Sequence, residues 1–161
     1  MIPGFRMQKH KYTAVKIPGV TLPAGEVRIG SLGGSQQFLA TIEPMHGTAV
    51  AVYPLGSNTT RQVLDEQLKE GHALATGDLL GLGRDQVVAG WRLPNADNKV
   101  GIKLYVPAEK TGTKWQAHWI DDNGMAAEDL QVADLDADGR PDIIAAGRAT
   151  NNLKIYWNKS K

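Results

Sequence analysis

The chain contains no cysteine in its 161 residues. That absence removes a disulfide framework, a thiolate metal centre and a cysteine nucleophile at once. It also has almost no charge imbalance, with 18 Lys and Arg against 17 Asp and Glu for a formal net charge of +1. No basic block interrupts that balance, so the composition excludes nucleic acid as an expected partner. No apolar run approaches the roughly 18 residues that a membrane helix requires, so no membrane partner is expected either. The first segment, "MIPGFRMQKHKYTAVKIPGV", lacks the apolar stretch of a secretory leader, and compartment stays open on sequence grounds. Also missing are a G-x-S-x-G elbow, a Gly-rich phosphate loop and any H-x-x-x-H pair. What the chain has instead is 18 Gly, 8 Pro and short apolar runs, a composition of strands and turns. Its length suits one domain with a real core.

Three stretches superimpose as a repeat. "EVRIGSL" (26–32), "ALATGDL" (73–79) and "DLQVADL" (129–135) alternate apolar and polar residues and end in a turn. Each precedes a more apolar run, "QQFLATIE" (36–43), "QVVAGWR" (86–92) and "DIIAAGR" (142–148). A third run closes on an aromatic in "AVAVYP" (49–54), "GIKLYVP" (101–107) and "NLKIYWN" (152–158). A polar fourth run appears twice, as "TTRQVLDEQ" (59–67) and "KWQAHWID" (114–121). Four short strands at a period of roughly 40–50 residues are the pattern of β-propeller blades. The expected fold is therefore all-β: one domain of three four-stranded blades over 25–67, 72–121 and 128–158. The last unit lacks a fourth run, and "KYTAVKI" (11–17) has the pattern to supply one. Propellers close with about four to eight blades. Two chains forming a six-bladed ring, or a longer propeller of which this is part, both satisfy that number.

The segment "DLDADGRPD" places Asp134, Asp136, Asp138 and Asp142 at positions 1, 3, 5 and 9 of a tight loop. Carboxylates so spaced point at one centre, and Gly139 permits the turn. Position 7, Arg140, offers its backbone carbonyl. Calcium accepts six to eight such oxygens in flexible geometry. An EF-hand would need a Glu at position 12 and flanking helices, whereas Ala145 and two strand-like runs stand here. An Asp-rich solvated turn without metal is the alternative. The equivalent loop in the second unit keeps Asp78 but carries Leu80 and Leu82 where ligands belong.

This loop, its flanking strands and the blade period resemble the FG-GAP or VCBS repeats of calcium-stapled propellers. The resemblance implies one Ca2+ per chain on Asp134, Asp136, Asp138, the Arg140 carbonyl and Asp142, with a stabilising role. It also implies a scaffold or ligand-binding module, and favours an extracellular or periplasmic setting.

Opposite the aspartate loop the repeat alignment gathers a second set. Glu43, Arg92 and Arg148 match one another at the end of the second runs, and His72 matches Glu128 ahead of the first. His46, Trp91 and Asp129 fall nearby. Arg forks for an anion, Trp for stacking and acids for hydroxyls suit a carbohydrate or other polar small molecule. Ion pairs between blades are the bland reading of the same charges. "IEPMHG", "GWR" and the aspartate segment also resemble the propeller domain of aldosulose dehydratase-type lyases. That resemblance implies a sugar-active lyase as the alternative function, with His46 as metal ligand or base beside Glu43 and Glu128. His118, between Trp115 and Trp119, is expected at a solvated outer edge.

Overall fold

Val87, Val88, Ala89, Gly90 and Trp91 offer no polar side chain on either side of an extended strand, so both sides must be covered. The computed structural model, which describes residues 12–17, 19–56 and 59–160, covers both. The described residues form eleven strands in three antiparallel sheets. The first sheet runs β1 (Glu26–Gly33), β2 (Gln36–Glu43), β3 (Ala49–Pro54) and β4 (Gln62–Asp65) in that spatial order. The second runs β5 (Gly71–Gly77), β6 (Gln86–Trp91), β7 (Gly101–Pro107) and β8 (Trp115–Asp122). The third holds β9 (Ala127–Ala133), β10 (Asp142–Gly147) and β11 (Asn152–Tyr156). Among the described residues no helix is long and apolar enough to cross a membrane.

The sheets stack in chain order. Phe38, Ala40, Ile42, Val50 and Val52 of the first meet Leu74, Val87, Ala89, Trp91 and Tyr105 of the second. The opposite side of the second, with Val88, Ile102 and Leu104, meets Leu130, Ile143 and Ala145 of the third. Each fully buried aliphatic side chain here contributes about 1.5–3 kcal/mol. Gly90 sets the spacing of the second contact, because a Cβ there would stand 2.6 Å from the Cβ of Ala127. The first strands of successive sheets lie against one another, β1 on β5 and β5 on β9. Thr76 Oγ1 donates to the Ile29 carbonyl at 2.7 Å, and Asp85 Oδ2 accepts from the Ser31 amide at 2.8 Å.

Of the expected strand at 11–17, the described residues 12–17 join no described sheet. Residues 12–17 are exposed and unpaired, and Lys11, like His10, lies outside the described residues. The reason is topological: the three-stranded sheet, which ends at β11, is the third, whereas residues 12–17 lead into the first.

Candidate functional site

Two groups of polar side chains occupy opposite ends of the same strands. At one end, β9 stops at Ala133 and the loop to β10 begins. Asp134, Asp136 and Asp138 bring carboxylate oxygens within 4.8 Å of one another, all three residues exposed. The backbone enforces this convergence: the Asp134 carboxylate accepts the amides of Asp138 at 3.2 Å and Gly139 at 2.9 Å. Ala137 and Gly139 adopt positive φ, 60° and 85°, to make the turn. In the second unit Asp78 accepts the amides of Leu82 and Gly83, both at 2.8 Å. Loop shape is thus common to the second and third units, and only the third keeps further carboxylates, at Asp136 and Asp138.

Two cations answer the acidic trio. The Arg140 guanidinium pairs with Asp138, and Lys159 Nζ stands 3.5 Å from Asp136. The motif reading of Arg140 concerned only its carbonyl and missed this side-chain partner. Asp142 stands apart from the trio. It is buried, and its oxygens accept the amides of Leu135 at 3.1 Å and Asn158 at 2.8 Å. The Asn158 amide bond above all holds its carboxyl below the usual range, with Leu135 adding to it. Asn158 in turn donates from Nδ2 to the carbonyls of Leu79 and Pro141, at 2.6 and 3.0 Å, tying the loop to the second sheet. The donor chemistry of the trio, hard carboxylate oxygens on a flexible turn, fits calcium.

At the other end, His46 and His72 stack with ring centroids 4.5 Å apart and planes inclined by 10°. His46 reaches this position from a left-handed backbone, φ 54°, in the β2–β3 connection, and its Nδ1 is buried without a hydrogen-bond partner. His72 Nδ1 lies 2.9 Å from the Glu128 carbonyl, which can only accept, so that nitrogen carries the proton. The other nitrogen, Nε2, then faces the Glu128 carboxylate at 3.8 Å. Arg92 bridges the sheets, with NH1 3.2 and 3.3 Å from the two Glu128 oxygens and NH2 2.8 Å from Glu70. That bond to Arg92 holds the Glu70 carboxyl low and raises the guanidinium. Arg92, Leu93, Arg148 and Ala149 line a cleft of about 450 Å³ between the second and third sheets.

The structure thus assembles His46, His72, Arg92, Glu128 and Arg148 at one rim and adds Glu70, which the repeat alignment did not single out. A signal for Glu70 existed in its place two residues before His72, but an acid at a strand start is usually solvated. Three expected members are elsewhere. Trp91 is fully buried, its indole donating to the Lys99 carbonyl at 2.8 Å. Asp129 is exposed on the side of the third sheet that faces away from the second. Glu43 is fully buried, accepting from Thr41 Oγ1 at 2.8 Å, Tyr53 at 2.5 Å and Arg61 Nε at 2.7 Å.

The displacement of Glu43 has a simple cause. Matching it to Arg92 and Arg148 equates Phe38, Ala40 and Ile42 with Val87, Ala89 and Trp91. The former face the next sheet and the latter face the preceding one. A slip of one residue turns every side chain to the other side. Arg92 in turn serves the ion pair between sheets, so its fork is taken. His118 is exposed, as expected, and Trp115 packs edge-on against Phe38 with centroids 5.5 Å apart. No family model, curated protein or solved structure matches this chain.

Proposed function

We propose that the chain is a calcium-binding repeat module of the FG-GAP or VCBS type, three blades of a β-propeller serving as a scaffold for a polar ligand rim. The observation that carries this reading is the stacking of three four- or three-stranded meanders in chain order, with first strand against first strand. Successive packing of that kind leaves one side of the first sheet and one of the third for further blades, which a second copy or a longer propeller supplies.

Calcium would be held by Asp134, Asp136 and Asp138, with the Arg140 carbonyl as a further oxygen and Asp142 bracing the loop from beneath. When bound it supplies positive charge and coordination bonds that hold the β9–β10 turn. Arg140 and Lys159 supply part of that charge through their own ion pairs, so binding draws them off the trio. At the opposite rim Arg148 and the cleft beside Arg92 present donors to an anionic or hydroxyl-rich small molecule. Terbium luminescence and calorimetry on the wild type and on Asp136→Asn test the metal. Loss of binding in the variant is expected, and identical binding by both would remove the assignment.

One observation favours a second reading, a sugar-active lyase: His46 Nδ1 has no partner and its ring lies on His72 beside two carboxylates. A base needs such a free nitrogen. Turnover of an oxidised sugar that vanishes in a folded His46→Ala variant would establish it; affinity without turnover would leave the binding module.

A further inference from the structure

The third sheet lacks what the other two have. β4 and β8 are fourth strands, each followed by a short turn into the first strand of the next sheet, through 66–70 into β5 and through 123–126 into β9. Residues 12–17 precede β1 in the same way, through 18–25, yet pair with no described strand. By the logic of the repeat they are the fourth strand of whichever sheet precedes the first.

The third sheet is built to receive such a strand. Among the described residues the outer edge of β11 has no neighbour, and its amides and carbonyls on that side need partners. In the second sheet the fourth strand drops Trp115 into the core against Phe38. The matching place beside β11 is an apolar groove of about 160 Å³, lined by Leu104 and Ile120 of the second sheet and Ile143, Tyr156 and Trp157 of the third. Val15 and Ile17, two apart and so on one side of the segment once it pairs as a strand, are apolar and exposed by 80% and 37%. The open sides also match in kind. Leu153 and Ile155 on the third sheet are 74% and 44% exposed, and Val27 and Ile29 on the first are 54% and 56% exposed. Within the chain these two kinds of sheet face pack on each other twice, first sheet on second and second on third.

We propose that residues 12–17 of one copy add to the free edge of β11 of a second copy, completing its third sheet, while the first sheet of the donor covers that sheet's open side. The exchange is reciprocal, so two copies close as a two-fold dimer. This rests on the blade reading above. Main-chain pairing gives the affinity and the groove gives the register. The occupant is a second copy because one chain carries both halves of the contact: apolar residues 15 and 17 with the open side of the first sheet, and the β11 edge with the open side of the third.

The absence of native cysteine makes the test direct. In the full chain, cysteines are placed at 12, 14 or 16, the side of the segment opposite Val15 and Ile17, and in a second preparation at 155, which lies on the open side of the third sheet; Lys110→Cys serves as an exposed control. Mixed preparations are expected to give an inter-chain disulfide with at least one of the three positions and none with the control. Light scattering of the wild type is expected to give twice 17.4 kDa, and Val15→Asp with Ile17→Asp a folded monomer by circular dichroism. A wild-type monomer at tens of micromolar, or a dimer without the cross-link, would each overturn the exchange. Terbium binding read on the same samples separates the two proposals: a monomer that binds terbium loses the exchange alone, and a cross-linked dimer that binds none loses the calcium assignment alone.

Discussion

Tyr156 donates a 2.6 Å hydrogen bond to Asp121, across the junction of the third sheet with the second. Lys154 Nζ joins it at 2.8 Å on the same oxygen. The other junction repeats the arrangement: Tyr105 and Lys103 meet Asp65 at 2.8 and 2.7 Å. In both, a Lys-x-Tyr on a third strand reaches an acid at the end of the preceding sheet's fourth strand. In the first sheet the matching residues are Ala51 and Tyr53, and Tyr53 turns to Glu43 of its own sheet. The latch is a property of the junctions between sheets.

Removing one donor from the latch should cost a single charge-assisted hydrogen bond. Tyr156→Phe is expected to lower stability by about 1–2 kcal/mol, and Asp121→Ala by more, since Lys154 and the Gly124 amide lose their acceptor as well. Urea unfolding with unchanged m-values measures both. Equal stability of wild type and Tyr156→Phe would mean that the latch only orients the sheets.

Asp121 also predicts an acid limb. Burial alone would raise its carboxyl, but hydrogen bonds from Lys154, Tyr156 and Gly124 outweigh burial and hold it low. A folded-state pKa below the unfolded one gives stability that is present above the unfolded value of about 3.9 and lost as pH falls through the folded value. Asp121→Asn should be less stable at neutral pH and show a flatter decline below pH of about 4.

Tyr53 predicts the alkaline counterpart. Burial first, and the hydrogen bond to Glu43 second, push its phenol up to about 12. A raised folded value means stability fully present below the unfolded pKa of about 10 and lost as pH rises through the folded one. Tyr53→Phe should therefore be flatter than wild type in denaturant titrations across that interval.

Glu43→Ala strips a fully buried acceptor from Thr41, Tyr53 and Arg61. Breaking a buried pair costs about 3–5 kcal/mol, and the partial exposure of Arg61 reduces this to about 2–4 kcal/mol. Ligand affinity at the His46 rim should be unchanged in the folded fraction. A folded Glu43→Ala that loses rim affinity would contradict the buried placement.

Calcium should stabilise the wild type. At a hundredfold excess over its dissociation constant a ligand adds about 2.7 kcal/mol, which is roughly 5–10 °C in Tm for a chain of this size. Asp136→Asn should show no calcium-dependent shift in differential scanning calorimetry, and an equal shift in both would point to another site.

The three antiparallel sheets were legible because strand pattern is local. Apolar runs such as Val87–Trp91 and the turns between them specify meanders without reference to partners, and the Asp134 loop carries its own geometry in its spacing and in Gly139. Which side each residue faces was less legible. Period-two alternation fixes neighbours relative to one another but not which side meets which sheet, and a single slip placed Glu43 at the rim instead of against Arg61. Trp91 was misplaced likewise, because a Trp at a strand end reads equally as platform or core.

The sequence by itself determined the all-β class, the three units and the acidic turn, since each depends on residues close along the chain. Only the tertiary structure decided the stacking of His46 on His72, the capture of Arg92 by Glu70 and Glu128, and the burial of Glu43. Those contacts join residues from different strands and sheets. They exist only where packing brings the strands together, and side-chain charge alone does not say which partner is met first.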